Sequence, residues 1–351
     1  MSRAIQLAKR GRYTCDPNPR VGCVICKEGQ VIAEGWHAVS GEAHAEVNAL
    51  NQCDDASDST VYITLEPCSH HGRTPPCVDA LINANVKEVI IAMSDPNPLV
   101  SGSGINKLEE AGIKVKQGLL EVEAIKLNPG FVKRMTLVKP YVRCKLAMSL
   151  DGRTALANGD SQWISSEQSR KDVHRLRAAS SAILSTVETV ISDDASLNAR
   201  DLEFDVKQPV RVIIDRQLGI SSQAKLFSIA GKVIIYTEKE NDERLNELYK
   251  VGAEVIFIPA SESWLAGVFT HLAKKYEINE VLVEAGATFS GSLIEAGLVD
   301  ELVIYMAPIL LGDTAQALLK LEPLNKLKQA KKLNLIDVRQ CASDIRLTYS
   351  L

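Results

Sequence analysis

The sequence predicts two α/β domains, and three observations carry that prediction. The chain has 351 residues, longer than a single domain usually runs. β-rich runs alternate with stretches of helical apolar spacing along most of it, which implies sheets with helices packed on their faces. The alternation is interrupted at Lys139-Pro140 and restarts at Tyr141. The domains are therefore expected at 1–139 and 140–351.

In the first domain, Ala4, Ile5, Leu7 and Ala8 recur at helical spacing and place a helix over 2–10. Strands follow at 21–26 and 31–36, joined by the turn Lys27-Glu28-Gly29-Gln30. A helix is expected from about 43 to 51, a strand rich in Val, Tyr, Ile and Thr at 61–65, and a helix at 77–85. Strand 88–93, helix 105–111 and strand 114–117 come next, and 120–138 reads as one connecting helix. The second domain is expected to run strand 141–148, helix 167–177 and strands 182–185, 210–215 and 232–237. Helix 243–251, strand 254–259, helix 264–276, strand 280–284 and helix 287–296 follow, and strands 301–307, 333–338 and 345–349 complete the pattern.

Hydrophobic residues make up 46% of the chain and charged residues 24%, the balance of an ordinary globular protein. No apolar run approaches the ~20 residues that span a bilayer. The first ten residues lack the apolar stretch of a signal peptide, so the expected location is cytoplasmic, with no membrane partner. Net charge is −4, with 15 basic against 16 acidic residues up to Lys139 and 25 against 28 beyond it. Neither half has the basic excess of a nucleic-acid binder. In a reducing compartment the eight cysteines are metal ligands, nucleophiles or small core residues. Cys15, Cys53, Cys144 and Cys341 read as packing residues. Cys23 and Cys26 have zinc-like spacing, but on a strand residues i and i+3 point to opposite faces, so no metal is expected there.

The chemistry concentrates at His44-Ala45-Glu46 and Glu66-Pro67-Cys68, with Cys77 beyond them. One imidazole and two thiolates can hold zinc and leave a fourth position for water. A carboxylate two residues after the histidine can move protons beside that water. His44 and Glu46 fall at the start of an expected helix, Cys68 after a strand and Cys77 at the start of the next helix. Helix N-termini favour anions such as thiolate through their free N–H groups and the helix dipole. His44, Cys68 and Cys77 are thus the expected ligands and Glu46 the expected proton carrier. His70 and His71 lie in the loop between the cysteines and are expected to face substrate or solvent.

This pattern resembles the zinc deaminases, which usually read H-x-E followed by P-C-x-x-C. Here eight residues separate Cys68 from Cys77. With that long loop, the stretches 16–25, 44–46, 64–77 and 95–98 resemble the bifunctional deaminase/reductase family of riboflavin biosynthesis. The resemblance implies a cytidine-deaminase-like three-layer α/β/α domain. It implies zinc-dependent hydrolytic removal of the 2-amino group of a ribosylated diaminopyrimidinone phosphate. It also makes Asn18, His70 and Arg73 candidates for holding that substrate, an arginine suiting phosphate or carbonyl through its planar donors.

The second domain has neither G-x-G-x-x-G nor a P-loop, and Ser101-Gly102-Ser103-Gly104 in the first domain has the wrong spacing for either. Residues 281–292 read as a strand, a small-residue turn and a helix start. Gly286 would allow close backbone approach there, and the helix N-terminus would face an anion. The stretches 145–154, 161–164, 189–194, 197–200, 284–288 and 297–301 resemble the reductase half of the same family. That resemblance implies a dihydrofolate-reductase-like α/β domain, NADPH as cofactor and reduction of the ribosyl group to ribityl. Carried over position by position, Lys145 and Asp193 are candidates for polar catalysis, a cation beside a carboxylate, with Asp193 also reaching the nicotinamide end. Ala147, Trp163, Thr189, Gly286, Ala287, Thr288, Phe289, Ser290, Gly291 and Ser292 match cofactor contacts. Ser161, Arg177, Leu197, Arg200 and Glu284 match substrate contacts, the two arginines suiting a 5′-phosphate.

Two departures from the family pattern stand out. Ala195 replaces the usual proline after the Asp-Asp pair, which frees the backbone of the loop carrying Leu197 and Arg200. Helix 1 also starts almost at Met1, several residues short of the pattern. The expected partners are the small-molecule substrate and further copies of the chain, as a dimer or tetramer. Two rival readings carry less. A deaminase of RNA or free nucleotides fits poorly with the near-neutral first half and the long loop. A sensing module that has lost its chemistry fits poorly with the presence of both Lys145 and Asp193.

Overall fold

The computed structural model describes residues 1–70, 75–98 and 100–351. They form two compact units, one of Met1–Pro140 with Glu277–Asn279, the other of Tyr141–Tyr276 with Glu280–Leu351.

The first unit runs α1 (Ser2–Ala8), β1 (Gly22–Lys27), β2 (Gln30–Trp36), α2 (Ala45–Leu50), β3 (Thr60–Ile63) and α3 (Cys77–Asn83). It continues through β4 (Glu88–Ile91), α4 (Ser103–Glu110), β5 (Lys114–Gln117), α5 (Glu121–Leu127) and α6 (Pro129–Leu137). The sheet order is β2-β1-β3-β4-β5, with β1 antiparallel to both neighbours and β3, β4 and β5 parallel. Glu28 and Gly29 both take left-handed φ, 51° and 79°, as a two-residue hairpin turn with the right twist requires.

Period-two alternation sorts the sheet into two apolar faces. Cys23, Ile25, Val61, Ile63, Val89 and Ile91 pack with Ala45 and Ala49 of α2 and Val78 and Leu81 of α3. Val24, with Cys26 and Tyr62 at its edge, packs against Ala4 and Leu7 of α1, and Ile5 and Ala8 carry α1 on to Leu127 of α5. The result is a three-layer α/β/α arrangement. Cys23 and Cys26 lie on opposite faces, so they cannot share a metal. Two glycines set the spacing of the layers. A Cβ on Gly22 would overlap the Ala4 carbonyl of α1, and one on Gly35 would overlap the Ala45 carbonyl and lie 2.5 Å from the Ala49 nitrogen of α2.

The single helix expected over 120–138 is in fact two. Pro129 has no N–H and occupies the first turn of α6, and Asn128 before it is non-helical at φ −130°, ψ 48°. The break frees the Asn128 side chain, which accepts from the Arg20 N–H at 2.8 Å and donates to the Arg20 carbonyl at 2.9 Å.

The second unit runs β6 (Tyr141–Ser149), β7 (Arg153–Ala155), α7 (Glu167–Ala178), β8 (Ala182–Thr186), α8 (Val187–Asp193), β9 (Val210–Ile214), β10 (Val233–Thr237) and α9 (Asp242–Lys250). It continues with β11 (Ala253–Phe257), α10 (Trp264–Lys275), β12 (Glu280–Val283), α11 (Ala287–Glu295), β13 (Glu301–Ala307), β14 (Gln316–Ala317), β15 (Asn334–Cys341) and β16 (Asp344–Ser350). Nine strands form one sheet in the order β11-β10-β9-β8-β12-β6-β13-β16-β15. The seven strands from β11 to β13 are parallel and the terminal hairpin is antiparallel. β8, β10 and β12 are buried along their whole length, which is why they read as unbroken apolar runs. Three elements escaped the periodicity. α8 is a two-turn helix capped by Thr186, whose hydroxyl accepts from the Thr189 N–H, and β7 pairs with β14 over too few residues to leave a pattern.

Gly35→Ala is expected to lower the stability of the first unit by about 1–3 kcal/mol, the usual cost of overpacking, read from the urea midpoint. Because α2 carries His44 at its start, the variant should also lose zinc faster to a chelator. A midpoint equal to that of the parent would mean α2 can shift outward freely.

Candidate active sites

Three side chains of the first unit converge because each sits where a local element begins or ends. His44 is the N-cap of α2 and is extended, at φ −74° and ψ 169°, so its ring stands clear of the helix. Pro76 N-caps α3 and makes Cys77 its first residue. Cys68 leaves the end of β3, and its carbonyl accepts from the Val78 N–H at 3.2 Å. His44 Nδ1 lies 3.1 Å from Cys77 Sγ and 3.6 Å from Cys68 Sγ. All three ligand atoms lie within 4.8 Å of one another, the one such group among the described residues.

The protonation pattern fits a metal. The Cys68 thiol is lowered because Cys77 and His44 both donate to it, and the Cys77 N–H adds a bond at 3.3 Å to its sulfur. Cys77 is raised as the partner that keeps its proton, and His44 is raised by its bond to Cys68. A soft, partly deprotonated S₂N set of this kind accepts a dication in place of the shared protons. Glu46 lies in the first turn of α2 and is 3% exposed. Burial pushes its carboxyl up to about 7, against the opposing pull of His44. A carboxyl that titrates near neutral pH can both take and return a proton.

Asn18 sits beside this group through His37, a residue the sequence reading passed over. His37 is 2% exposed, and its ring stands edge-on to His44 with centroids 5.2 Å apart. Its Nδ1 meets the Ala43 carbonyl at 3.2 Å and its Nε2 meets the Asn18 amide at 3.2 Å. A carbonyl only accepts, so Nδ1 carries the proton and Nε2 accepts from Asn18. Burial lowers the pKa of His37 and keeps it neutral. A lone histidine at a strand end has no spacing signature, which is why it went unseen. His70 is exposed. His71 and Arg73 lie outside the described residues.

In the second unit the centre of charge is Glu284, at the end of β12. Arg177 of α7 grips it bidentately, Nε to Oε1 at 2.6 Å and Nη2 to Oε2 at 3.0 Å, and Lys145 of β6 reaches Oε2 at 3.4 Å. Burial works against the carboxylate, but Arg177 and then Lys145 outweigh it and hold the pKa at about 2. The carboxylate beside Lys145 is thus Glu284. The expected partner, Asp193, is exposed at the end of α8 and accepts from Ser192 Oγ at 2.9 Å. Arg177 also donates to the Asn198 carbonyl at 3.2 Å, so this half-buried side chain links Glu284 to the loop after α8. Arg200 is the exposed arginine of the pair, and its N–H donates to His174 Nδ1 at 3.4 Å. His174 is neutral, lowered to about 4 by burial and then by Arg177 and Arg200.

The remaining expected contact residues divide by exposure. Trp163 is 70% exposed, with Arg170 4.6 Å above its ring; Ser161 is half-buried beside it. Ala147 and Thr189 are half-buried, on β6 and in the first turn of α8. Gly286 is exposed at the N-cap of α11, and a Cβ added there would meet nothing. The fold does not need a glycine at that point, whereas a close-lying phosphate would. Thr288 and Ser292 are exposed and Ala287 and Phe289 half-buried. Ser290 and Gly291 face inward: Ser290 Oγ donates to the Ala285 carbonyl at 3.3 Å, and a Cβ on Gly291 would overlap the Lys320 carbonyl. Leu197 is 2% exposed, and its side chain packs with Ile183, Val190 and Ile213. The loop around Ala195 is fastened without the proline. Gln208 bonds both the N–H and the carbonyl of Ala199, at 3.1 and 2.7 Å, and Asp194 accepts from the Lys225 N–H at 3.1 Å.

Comparison with known proteins covers the whole chain. Residues 140–347 match the RibD C-terminal domain, and residues 1–93 match the cytidine and deoxycytidylate deaminase zinc-binding region. The chain is 45% identical to riboflavin biosynthesis protein RibD of Escherichia coli (strain K12), over 99% of this chain and 97% of that protein. It is 48% identical to RibD of Haemophilus influenzae, over 100% and 96% respectively. The structure of Acinetobacter baumannii RibD, form 1, superposes with a TM-score of 0.94 at 45% identity, over 99% of this chain and 97% of that one. A Thermotoga maritima diaminohydroxyphosphoribosylaminopyrimidine deaminase/5-amino-6-(5-phosphoribosylamino)uracil reductase superposes at 0.87 with 34% identity, over 100% and 97%.

The ion pairs of Glu284 give a pH signature. The folded pKa of about 2 lies below the unfolded value of about 4.3. Their contribution is therefore full above pH ~4.3 and is lost as pH falls toward 2. Glu284→Gln should destabilise the second unit by about 3–5 kcal/mol at pH 7, because it strands a buried guanidinium. In denaturant melts from pH 7 to pH 3 the gap between variant and parent should narrow on acidification. A gap that stays constant would show that the ionised carboxylate contributes nothing.

Proposed function

The chain belongs to the RibD family of riboflavin biosynthesis, and from that premise we propose how its residues divide the work. It is a bifunctional enzyme. It removes an amino group hydrolytically from 2,5-diamino-6-ribosylamino-4(3H)-pyrimidinone 5′-phosphate, using zinc. It then reduces the ribosyl side chain with NADPH, giving 5-amino-6-ribitylaminouracil 5′-phosphate. In our reading 1–139 carries the first reaction and 140–351 the second.

The observation that carries the deaminase reading is the convergence of three ligand atoms within 4.8 Å beside a buried carboxyl. His44, Cys68 and Cys77 would hold the zinc, which when bound would supply Lewis acidity toward water at neutral pH. Glu46 is the proton carrier of the site, placed to take a proton from an attacking water and to return it to the departing amine. Its burial raises its affinity for the proton it has to carry. Asn18, held by His37, orients the pyrimidine ring, and His70 and Arg73 are further candidates for holding the substrate.

In the second unit NADPH supplies the hydride. Gly286 and the start of α11 would hold it, together with Trp163, Ala147 and Thr189. Lys145 Nζ, paired with Glu284, would steer a proton and stabilise charge at the reacting ribosyl group, and Asp193 is a second polar candidate, on α8. Glu284 and Arg177 place Lys145 and the Asn198 loop, and Arg200 and Ser161 meet the substrate.

The chain is also proposed to assemble with its own copies. The edge strand β15 leaves Leu335, Ile336 and Val338 each more than half exposed, and an unpaired apolar edge favours strand-to-strand association.

Purified protein supplied with the diaminopyrimidinone ribosyl phosphate should release ammonia and oxidise NADPH in the same tube. Glu46→Gln is expected to abolish ammonia release, a loss of at least ~10²-fold, and to leave reduction of pre-deaminated substrate intact. Lys145→Ala should do the reverse. Equal loss of both activities in either variant would contradict separate sites. In light scattering, Ile336→Lys should lower the particle mass relative to the parent chain.

A further inference from the structure

The stretch Ser101-Gly102-Ser103-Gly104, which fits no nucleotide fingerprint, already has an occupant inside the chain. The Glu66 carboxylate, 4% exposed, accepts from the N–H groups of Asp95 at 3.0 Å and Gly102 at 3.1 Å through Oε2. Through Oε1 it accepts from Gly104 at 3.0 Å and Ile105 at 3.4 Å. Gly102, Gly104 and Ile105 open α4, where N–H groups have no helical acceptor, so the carboxylate satisfies them and meets the positive end of the helix. The residues on either side of Cys68 join the same contact. A Cβ on Gly104 would overlap the Pro67 carbonyl, and the Ser69 and Ser103 hydroxyls are 2.7 Å apart. The Glu66 N–H donates to the Met93 carbonyl at 3.0 Å. Glu66, Pro67 and Ser69 are all fastened to the segment between Met93 and Ile105, and Cys68 is the residue held among them.

We propose that Glu66 is a positioning residue of the deaminase centre. It fixes the turn that presents Cys68 Sγ to the metal, and it holds the Asp95 backbone beside that turn. The inference rests on the metal-centre reading above. A carboxylate is required because all four partners are donors. A glutamine would turn its own NH₂ toward two of them and leave them unsatisfied.

The test uses the full chain loaded with cobalt(II) in place of zinc, whose visible bands report ligand geometry. Glu66→Gln is expected to shift the thiolate and ligand-field bands, to weaken metal retention against a chelator, and to lower kcat for ammonia release by about 10- to 100-fold, the usual effect of removing support behind a ligand. Its NADPH-dependent reduction of pre-deaminated substrate should stay within about twofold of the parent, which reports that the chain is folded. Unchanged cobalt bands with ammonia release within twofold of the parent would overturn the proposal. Should Glu66→Gln lose both activities through misfolding, Gly104→Ala decides, because it presses on the Pro67 carbonyl and keeps the carboxylate. Shifted bands there support the inference, and bands identical to the parent overturn it. A parent chain that shows no thiolate-to-cobalt band would overturn the metal-centre reading itself, and the inference with it.

Discussion

Taking a thiolate or a carboxylate out of water costs several kcal/mol unless a counter-charge or a fan of N–H donors meets it. Three places show how the chain meets that demand. Cys68 is met by Cys77, His44 and a backbone N–H. Glu66 is met by four backbone N–H groups. Glu284 is met by a bidentate Arg177 and by Lys145. Each solution draws its partners from elements far apart in sequence, so each holds its surroundings in one arrangement. The rest of each unit is the scaffold that lets those partners arrive.

In the first unit that scaffold works through close approach. Gly22 and Gly35 point to opposite faces of the sheet and admit α1 and α2 nearly to backbone contact. α2 then delivers His44 and Glu46, and α3 delivers Cys77, toward the end of β3. The break at Asn128 belongs to the same logic. It releases a side chain that grips the backbone of Arg20 at both its N–H and its carbonyl, and Arg20 stands two residues from Asn18. In the second unit the parallel strands β6 and β12 set Lys145, midway along β6, beside Glu284 just past the end of β12, and α7 brings Arg177 to them. The position of Glu284 follows the general rule that open parallel sheets carry ligands at the C-terminal ends of their strands.

The sequence alone determined the architecture and the metal site, because both are written in local periodicity and short spacing. Alternating runs named most of the strands and helices, and His44, Glu46, Cys68 and Cys77 stand at element boundaries that caps and turns mark. Side chains that act across long sequence distances left no such trace. His37, Glu66, Gln208 and Asn128 look unremarkable in the chain and acquire a role only through the backbone groups that the fold brings to them. For the same reason neither the burial of the Leu197 side chain nor the pairing of Lys145 with Glu284 shows in the sequence pattern. Register, layer spacing and the choice of ion-pair partner are decided by tertiary packing, since they depend on which buried groups must satisfy one another once water is excluded.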